Sequence, residues 1–378
     1  MLAPAQTTPT TERRPLGALA GIVEPWRALA ERAVEPNVFY GPDFALAAAA
    51  VFGRDVEAVL VWAGPQRLIG LFPLGVARRR YGVKLALAIG WTHPFAPLGT
   101  PLVDRDAMDA AIVAFLDHIS GDERLPKLLL LPYLHEAGPV ADALRAALAR
   151  QGGAFAPFGR HQRAALVPGE DRANYLAHAI GGKRRKELRR QRHRLAESGA
   201  LGFALATSPG DIVAALQDFM RLEAGGWKGR AGTAIAQHED IARFVEAAIV
   251  ALAARGEANV VRLASGAQPI ACGITLRSGA WAWGWKIAYD ERFAAASPGV
   301  QLYLDLTEAL LADPGIAVAD SCATPDHPMI DHLWRERLPL ADWLVALTPG
   351  ARFSLACRFE TLRRHAIAIA RGIRARSP

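Results

Sequence analysis

Residues 258–290 read ANVVRLASGAQPIACGITLRSGAWAWGWKIAYD, and residues 297–321 read SPGVQLYLDLTEALLADPGIAVADS. The first stretch holds three apolar runs, 258–264, 270–276 and 280–289, the first two flanking the turn SGAQP. Connections this short join antiparallel neighbours, so the runs predict a three-stranded meander. The second stretch predicts a helix over 299–312, closed by Pro314, and a further strand over 316–321. Upstream lie a helix (171–180), a basic helix (183–198), a strand (201–206), a helix (209–224), the loop GGWKGRAGTA and a helix (239–254) closed by Gly256. Downstream, a short helix (328–337) and a strand (340–347) complete the set.

The first half reads in the same way. Helices over 21–33 and 44–52 precede strands over 56–62, 68–76 and 83–89. An irregular loop with three prolines (91–101), helix 106–119, strand 127–132, helix 136–150 and strand 161–167 follow. Helices, antiparallel strands, helix, strand, helix, strand is the order in both halves, which suggests two copies of one α/β module. The expected divisions are a disordered tail (1–20), an N-terminal module (21–168), a C-terminal module (170–347) and a final helix (351–376).

A chain of 378 residues has room for about two domains, and 51% hydrophobic residues supply their cores. No apolar run approaches the ~20 residues of a membrane span. The start, MLAPAQTTPTTERRPLG, lacks an apolar segment and reads as a tail rather than a signal peptide. Cys272, Cys322 and Cys357 form no CxxC pair and are odd in number, which argues against a disulfide scaffold or structural zinc and for a reducing, cytoplasmic setting.

The formal charge is +7, and the segment KRRKELRRQRHR (183–194), with eight Lys/Arg and one Glu, also sums to +7. The remainder, 36 basic and 36 acidic residues, sums to zero. Like charges four apart on one helix repel, so Lys183, Arg184, Arg185, Lys186, Arg189, Arg190 and Arg192 suit a polyanionic partner, although a solvated helix without a partner has the same composition. Near the C-terminus, Leu355, Phe359, Leu362, Ala366, Ile369 and Ile373 recur at spacings of three and four, with Arg352, Arg358, Arg363, Arg364 and Arg371 between them. This amphipathic pattern fits a helix packed on the body or one resting on anionic lipid as a peripheral membrane contact.

Several strings in the second half resemble the CelD-like, FemAB-related branch of the GNAT (N-acetyltransferase) superfamily. They are Lys183–Arg194, Leu222-Glu223 with Gly226-Trp227-Lys228-Gly229, Trp285-Lys286-Ile287-Ala288-Tyr289-Asp290, Ser297-Pro298-Gly299 and Asp320-Ser321. The resemblance implies a mixed sheet in which strand 280–289 lies beside strand 316–321 and splays from it, the acyl thioester threading the gap. It implies an acyltransferase that uses acyl-CoA, with no metal, and acylates an amine or hydroxyl on a small molecule or glycan precursor of the envelope or of an exopolysaccharide. FemAB relatives that use aminoacyl-tRNA make tRNA an alternative donor and a partner for 183–194. A non-catalytic polyanion-binding protein on a degenerate fold of this kind is the remaining alternative.

A helix beginning at Ser297-Pro298-Gly299 offers unpaired N–H groups and a positive dipole end to a phosphate, and Gly299 permits close approach. Ser297, Gly299, Val300, Gln301 and Leu302 are therefore candidates for the donor's phosphates, while proline at the first helical position accounts for the same residues without a ligand. Period two puts Trp281, Trp283 and Trp285 on one face, as core or as a pocket wall, with Lys286 on the other. Asp320, Ser321 and Cys322 end a strand, and Asp326, His327, Asp331 and His332 follow. Transfer to an amine needs a base and an acid, for which His327 and Asp320 (base) and Tyr289 (acid) are the candidates. His327 and Asp331 can instead pair across one helical turn, and Cys322 can be a small buried hydrophobe rather than a nucleophile. Glu223, Trp227 and Lys228, beside glycines, suggest a substrate-binding loop or a plain surface loop.

Overall fold

The computed structural model describes residues 8–169 and 172–374, the last four of these by backbone alone. Among the described residues the strands are β1 (Thr10–Pro15), β2 (Val56–Trp62), β3 (Leu68–Ala77), β4 (Leu87–Gly90), β5 (Leu102–Val103), β6 (Leu128–His135), β7 (Ala154–Leu166), β8 (Leu201–Ala206), β9 (Ala258–Ser265), β10 (Gln268–Ser278), β11 (Trp281–Tyr289), β12 (Val318–Asp320) and β13 (Glu336–Ala346). The α-helices are α1 (Val23–Arg32), α2 (Pro42–Phe52), α3 (Met108–Gly121), α4 (Pro139–Gln151), α5 (Tyr175–Ala179), α6 (Gly182–Ala196), α7 (Pro209–Gly225), α8 (Trp227–Arg230), α9 (Glu239–Ala253), α10 (Pro298–Ala312) and α11 (Ala351–Arg374).

The chain forms two compact units, residues 1–161 with 339–378, and residues 162–338. In the first, β1, β2, β3 and β4 pair antiparallel in that order, β4 pairs with β6 in parallel, and β13 closes antiparallel on β6. In the second, β8, β9, β10 and β11 pair antiparallel, β11 pairs with β12 in parallel, and the end of β7 closes antiparallel on β12. The two orders are the same, so the mixed α/β fold consists of two tandem modules of one topology followed by a C-terminal amphipathic helix.

The closing strands are exchanged along the sequence. β7 follows α4 but supplies Ala165 and Leu166 to β12, and β13 follows β12 but supplies Leu340–Ala346 to β6. The strand expected to complete the second module thus pairs inside the first unit, where Trp343 and Val345 join the core of Phe72, Phe115 and Leu144. Leu166 and Ala164 instead join the core of the second unit, with Leu302, Leu306 and Trp334.

Three further expectations change. Residues 1–7 of the expected tail lie outside the described residues, but Thr10–Pro15 is an edge strand, held to β2 by its ladder and by the Arg13–Glu57 ion pair at 3.0 Å. Residues 328–337 form no α-helix but hold a 3-10 turn, Ile330–His332, and the first two residues of β13. Asp326, just upstream, adopts a left-handed conformation (φ 57°), and Arg337 donates to the carbonyls of Asp331, Trp334 and Glu336, so helical bonding is limited to single turns such as Trp334 N–H to the Ile330 carbonyl at 2.9 Å. The expected helix over 171–180 is a 3-10 turn, Arg172–Asn174, and the short α5.

Candidate functional site

The site is built where β11 and β12 part. Their parallel ladder covers Trp281–Val318, Ala282–Ala319 and Trp283–Asp320 and then stops. Beyond it β11 runs on to Tyr289, while the chain at Ser321 turns aside and donates its N–H to the Ala164 carbonyl at 3.1 Å. The β10–β11 ladder slips by one residue between Ile274–Lys286 and Thr275–Gly284, so Trp285 is an extra residue in a bulge. The bulge breaks the period-two alternation. Lys286, expected on the face opposite Trp285, instead sets its ammonium 5.5 Å from the Trp285 ring centroid. Gly284 is obligatory here, because a Cβ would lie 2.6 Å from the Tyr303 hydroxyl, which donates to the Gly284 carbonyl at 3.3 Å.

Asp320 is buried and both its oxygens are engaged. Oδ2 accepts from Arg163 Nη1 at 2.9 Å and Oδ1 from the Cys322 N–H at 2.8 Å. A carboxylate held this way orients its surroundings and is poorly placed to collect a proton. Burial first, and then the Asp320 charge, push the Cys322 thiol well above its ordinary value, so it stays a thiol rather than a nucleophilic thiolate. Burial, with Lys228 nearby, brings the Lys286 ammonium down to about 8.

Glu223 is buried and acts as a hub, accepting from Lys228 Nζ at 2.6 Å and from the Ile235 N–H at 2.8 Å. Glu291 accepts from the Trp227 N–H and from Arg230, each at 2.7 Å, which fixes the expected loop as the short helix α8. Glu223, Trp227, Lys228, Tyr289 and Glu291 line a shallow pocket open to solvent, with an enclosed volume of about 30 Å³. The candidates Glu223, Trp227, Lys228 and Tyr289 are thus brought together, with Lys286 in the electrostatic range of Glu223 and Lys228.

At the start of α10, Ser297 is left-handed (φ 52°) and Pro298 has no N–H. The Gln301 N–H already bonds the Ser297 carbonyl at 3.1 Å. Gly299 and Val300 therefore carry the N–H groups without an intrahelical acceptor. The Gln301 side chain is buried and donates to the Leu188 carbonyl at 2.9 Å, tying α10 to α6, and Leu302 is buried in the core. The Cα of Gly299 faces packed side chains: a Cβ would stand 3.3 Å from Ile287, 3.4 Å from Tyr289 and 3.8 Å from Met329.

His327 lies on the loop after β12, its Nδ1 accepting from the Met329 N–H at 3.3 Å. Among the described residues no hydrogen bond or ion pair joins it to Asp320, Tyr289 or the Asp331 carboxylate, and no group of three or more His, Cys, Asp or Glu side chains could hold a metal ion. On α6, Leu188, Gln191 and Leu195 face inward, Arg190 pairs with Glu187 at 2.9 Å and Arg192 pairs with Asp305 at 3.0 Å. Lys183, Arg184, Arg185, Lys186 and Arg189 are exposed.

Sequence reasoning missed Arg163, Glu291 and Tyr303. Arg163 had a signal, a cation entering an apolar strand end, and Gly284 among tryptophans signalled a close approach. Glu291 had none, since its role depends on where α8 lies.

Residues 182–327 match the family model of the Acetyltransferase (GNAT) domain. Three solved structures are similar over most of the chain. The C-terminal domain assigned to a lysylphosphatidylglycerol synthetase from Agrobacterium fabrum has a TM-score of 0.57 at 13% identity, covering 91% of this chain and 97% of that one. FemX has a TM-score of 0.55 at 10% identity, covering 85% and 95%. L-PGS from Bacillus licheniformis has a TM-score of 0.51 at 14% identity, covering 91% and 95%. No curated protein matches the sequence. The chain therefore has a fold like that of these structures, FemX among them, and residues 182–327 of its second unit match the GNAT domain. Among the described residues no helix is long and apolar enough to cross a membrane.

Proposed function

We propose that the second unit is an acyltransferase whose donor is a phosphate-bearing acyl carrier, acyl-CoA in the first instance. The observation that supports this best is the opening of the β11–β12 ladder after Trp283–Asp320, beside a helix start with two uncommitted N–H groups. The donor's phosphates sit on the Gly299 and Val300 N–H groups, where the positive end of α10 favours anions. The acyl group enters the gap past the Trp285 bulge. An amine or hydroxyl acceptor, on a small molecule or glycan precursor, occupies the pocket of Glu223, Trp227, Lys228 and Tyr289. Its nitrogen or oxygen forms a bond to the acyl carbon as the carbon–sulfur bond breaks. His327 accepts the acceptor's proton, Tyr289 protonates the departing thiolate, and Asp320 positions the turn at Cys322. Lys286, charged below about pH 8, attracts the anionic reactants.

A second reading, an aminoacyl-tRNA donor, is favoured by the exposed cations Lys183, Arg184, Arg185, Lys186 and Arg189 on α6. Native mass spectrometry of the purified full chain separates the two. A retained CoA thioester supports the first reading and retained RNA the second; a protein that retains neither, and binds neither when each is added, would leave a non-catalytic fold.

A further inference from the structure

The first unit carries a surface that the acyl-transfer reading does not use. Helix α11 is anchored by one face. Ala356 and Glu360 are fully buried, and Glu360 accepts from the Tyr81 hydroxyl and from Arg364 Nε, each at 2.8 Å. Another face is bare. Leu355 is 43% exposed, Leu362 63% and Ile369 64%, at intervals of seven residues that stack them in one strip two turns apart. Glu360 is the only acid in residues 351–374, and it is turned inward. The exposed charges of the helix, Arg352 and Arg358 among them, are cationic.

Beside the strip runs a groove with about 1110 Å³ of open space. Arg78, Lys84, Lys127 and Arg352 line it together with Leu355 and Phe359, and no acid does. Lys127 is committed to the carbonyls of Ile119 and Asp122, at 2.7 and 2.8 Å. Arg78, Lys84 and Arg352 are exposed and have no ion-pair partner among the described residues.

We infer that the outer face of α11 and the adjoining basic groove form a docking surface for an anionic lipid bilayer, with Leu355, Leu362 and Ile369 entering the headgroup boundary and Arg78, Lys84 and Arg352 meeting lipid phosphates. The pairing of an apolar strip with unanswered cations selects this occupant. A polyanion such as RNA matches the cations and leaves three large apolar side chains in water. A second copy of the chain would cover the strip, but three side chains fall far short of the about 800 Å² per partner of a stable interface. A pairing of this face with itself would also bring arginines against a helix with no outward acid to answer them. Anionic headgroups over an acyl boundary satisfy both features.

The test is co-sedimentation of the full chain with phosphatidylcholine vesicles, with and without phosphatidylglycerol. Binding should be at least about tenfold stronger with phosphatidylglycerol, given three cations near the surface. Leu362→Ser with Ile369→Ser should remove most of it with the melting temperature unchanged, since both side chains are exposed. Arg78→Gln, Lys84→Gln and Arg352→Gln together should abolish the preference for phosphatidylglycerol. Equal binding to both vesicles, or a serine variant that binds like wild type, would overturn the inference. So would light scattering that shows a dimer dissolved by the serine variant.

Discussion

At the residue scale, the ion pair between Arg163 and Asp320 is the most consequential contact of the site, because both partners are almost fully withdrawn from water. Removing one partner leaves a buried charge uncompensated, which costs about 3–5 kcal/mol. Arg163→Met and Asp320→Asn should each lower stability by that order in urea unfolding of the full chain. The double variant should recover much of the loss, since the asparagine amide oxygen would still accept from the Cys322 N–H; strictly additive losses would show that the pair is not coupled. Lys286 gives a pH signature. Its folded value, about 8, lies below that of an unfolded lysine, so the unfolded state binds more protons between the two values. Stability should therefore rise with pH above about 8 in wild type and lose this rise in Lys286→Met. Donor affinity should move the other way, falling as pH passes about 8 in wild type and holding steady in Lys286→Arg. Thermal melts and donor titrations across that range check both signs.

At the element scale, the meander and the β11–α10–β12 crossover were legible because turn lengths and helix stops dictate them. The bulge at Trp285 was not, since an inserted residue leaves the apolar pattern of WAWGWKIAY intact and only the partner strand reveals the slip. The positive helix was legible as a charge run, but the sequence could not divide its cations. Arg190 and Arg192 are answered by Glu187 and Asp305, whereas Lys183, Arg185, Lys186 and Arg189 face solvent. Replacing those four by Gln should lower the salt needed to elute the protein from heparin and flatten the salt slope of RNA binding, the fold intact. Arg192→Gln alone should change elution little while loosening α6 from α10. Unchanged elution of the fourfold variant would leave α6 a solvated face.

At the scale of the whole molecule, the repeat of one module was legible and the exchange of closing strands was not. Order along a sequence gives adjacency only by default, and β7 and β13 each end in an apolar run that suits either sheet. The exchange has a direct consequence. A fragment of residues 162–338 keeps Arg163 and the 164–166 segment against β12, whereas a fragment of residues 170–347 loses both and exposes the apolar strand Leu340–Ala346. The first should be soluble with a cooperative melt and the second should aggregate; the reverse would contradict the division into units. The central claim, a donor phosphate site on the first turn of α10, is tested most directly by calorimetry of CoA with the full chain and with Val300→Pro. Proline is tolerated in a first turn and removes one of the two N–H donors without adding charge. The account predicts that wild type binds CoA and that the variant, equally stable, binds it about tenfold more weakly, the effect of losing one charge-assisted hydrogen bond of about 1.5 kcal/mol. Equal binding by the two proteins would contradict it.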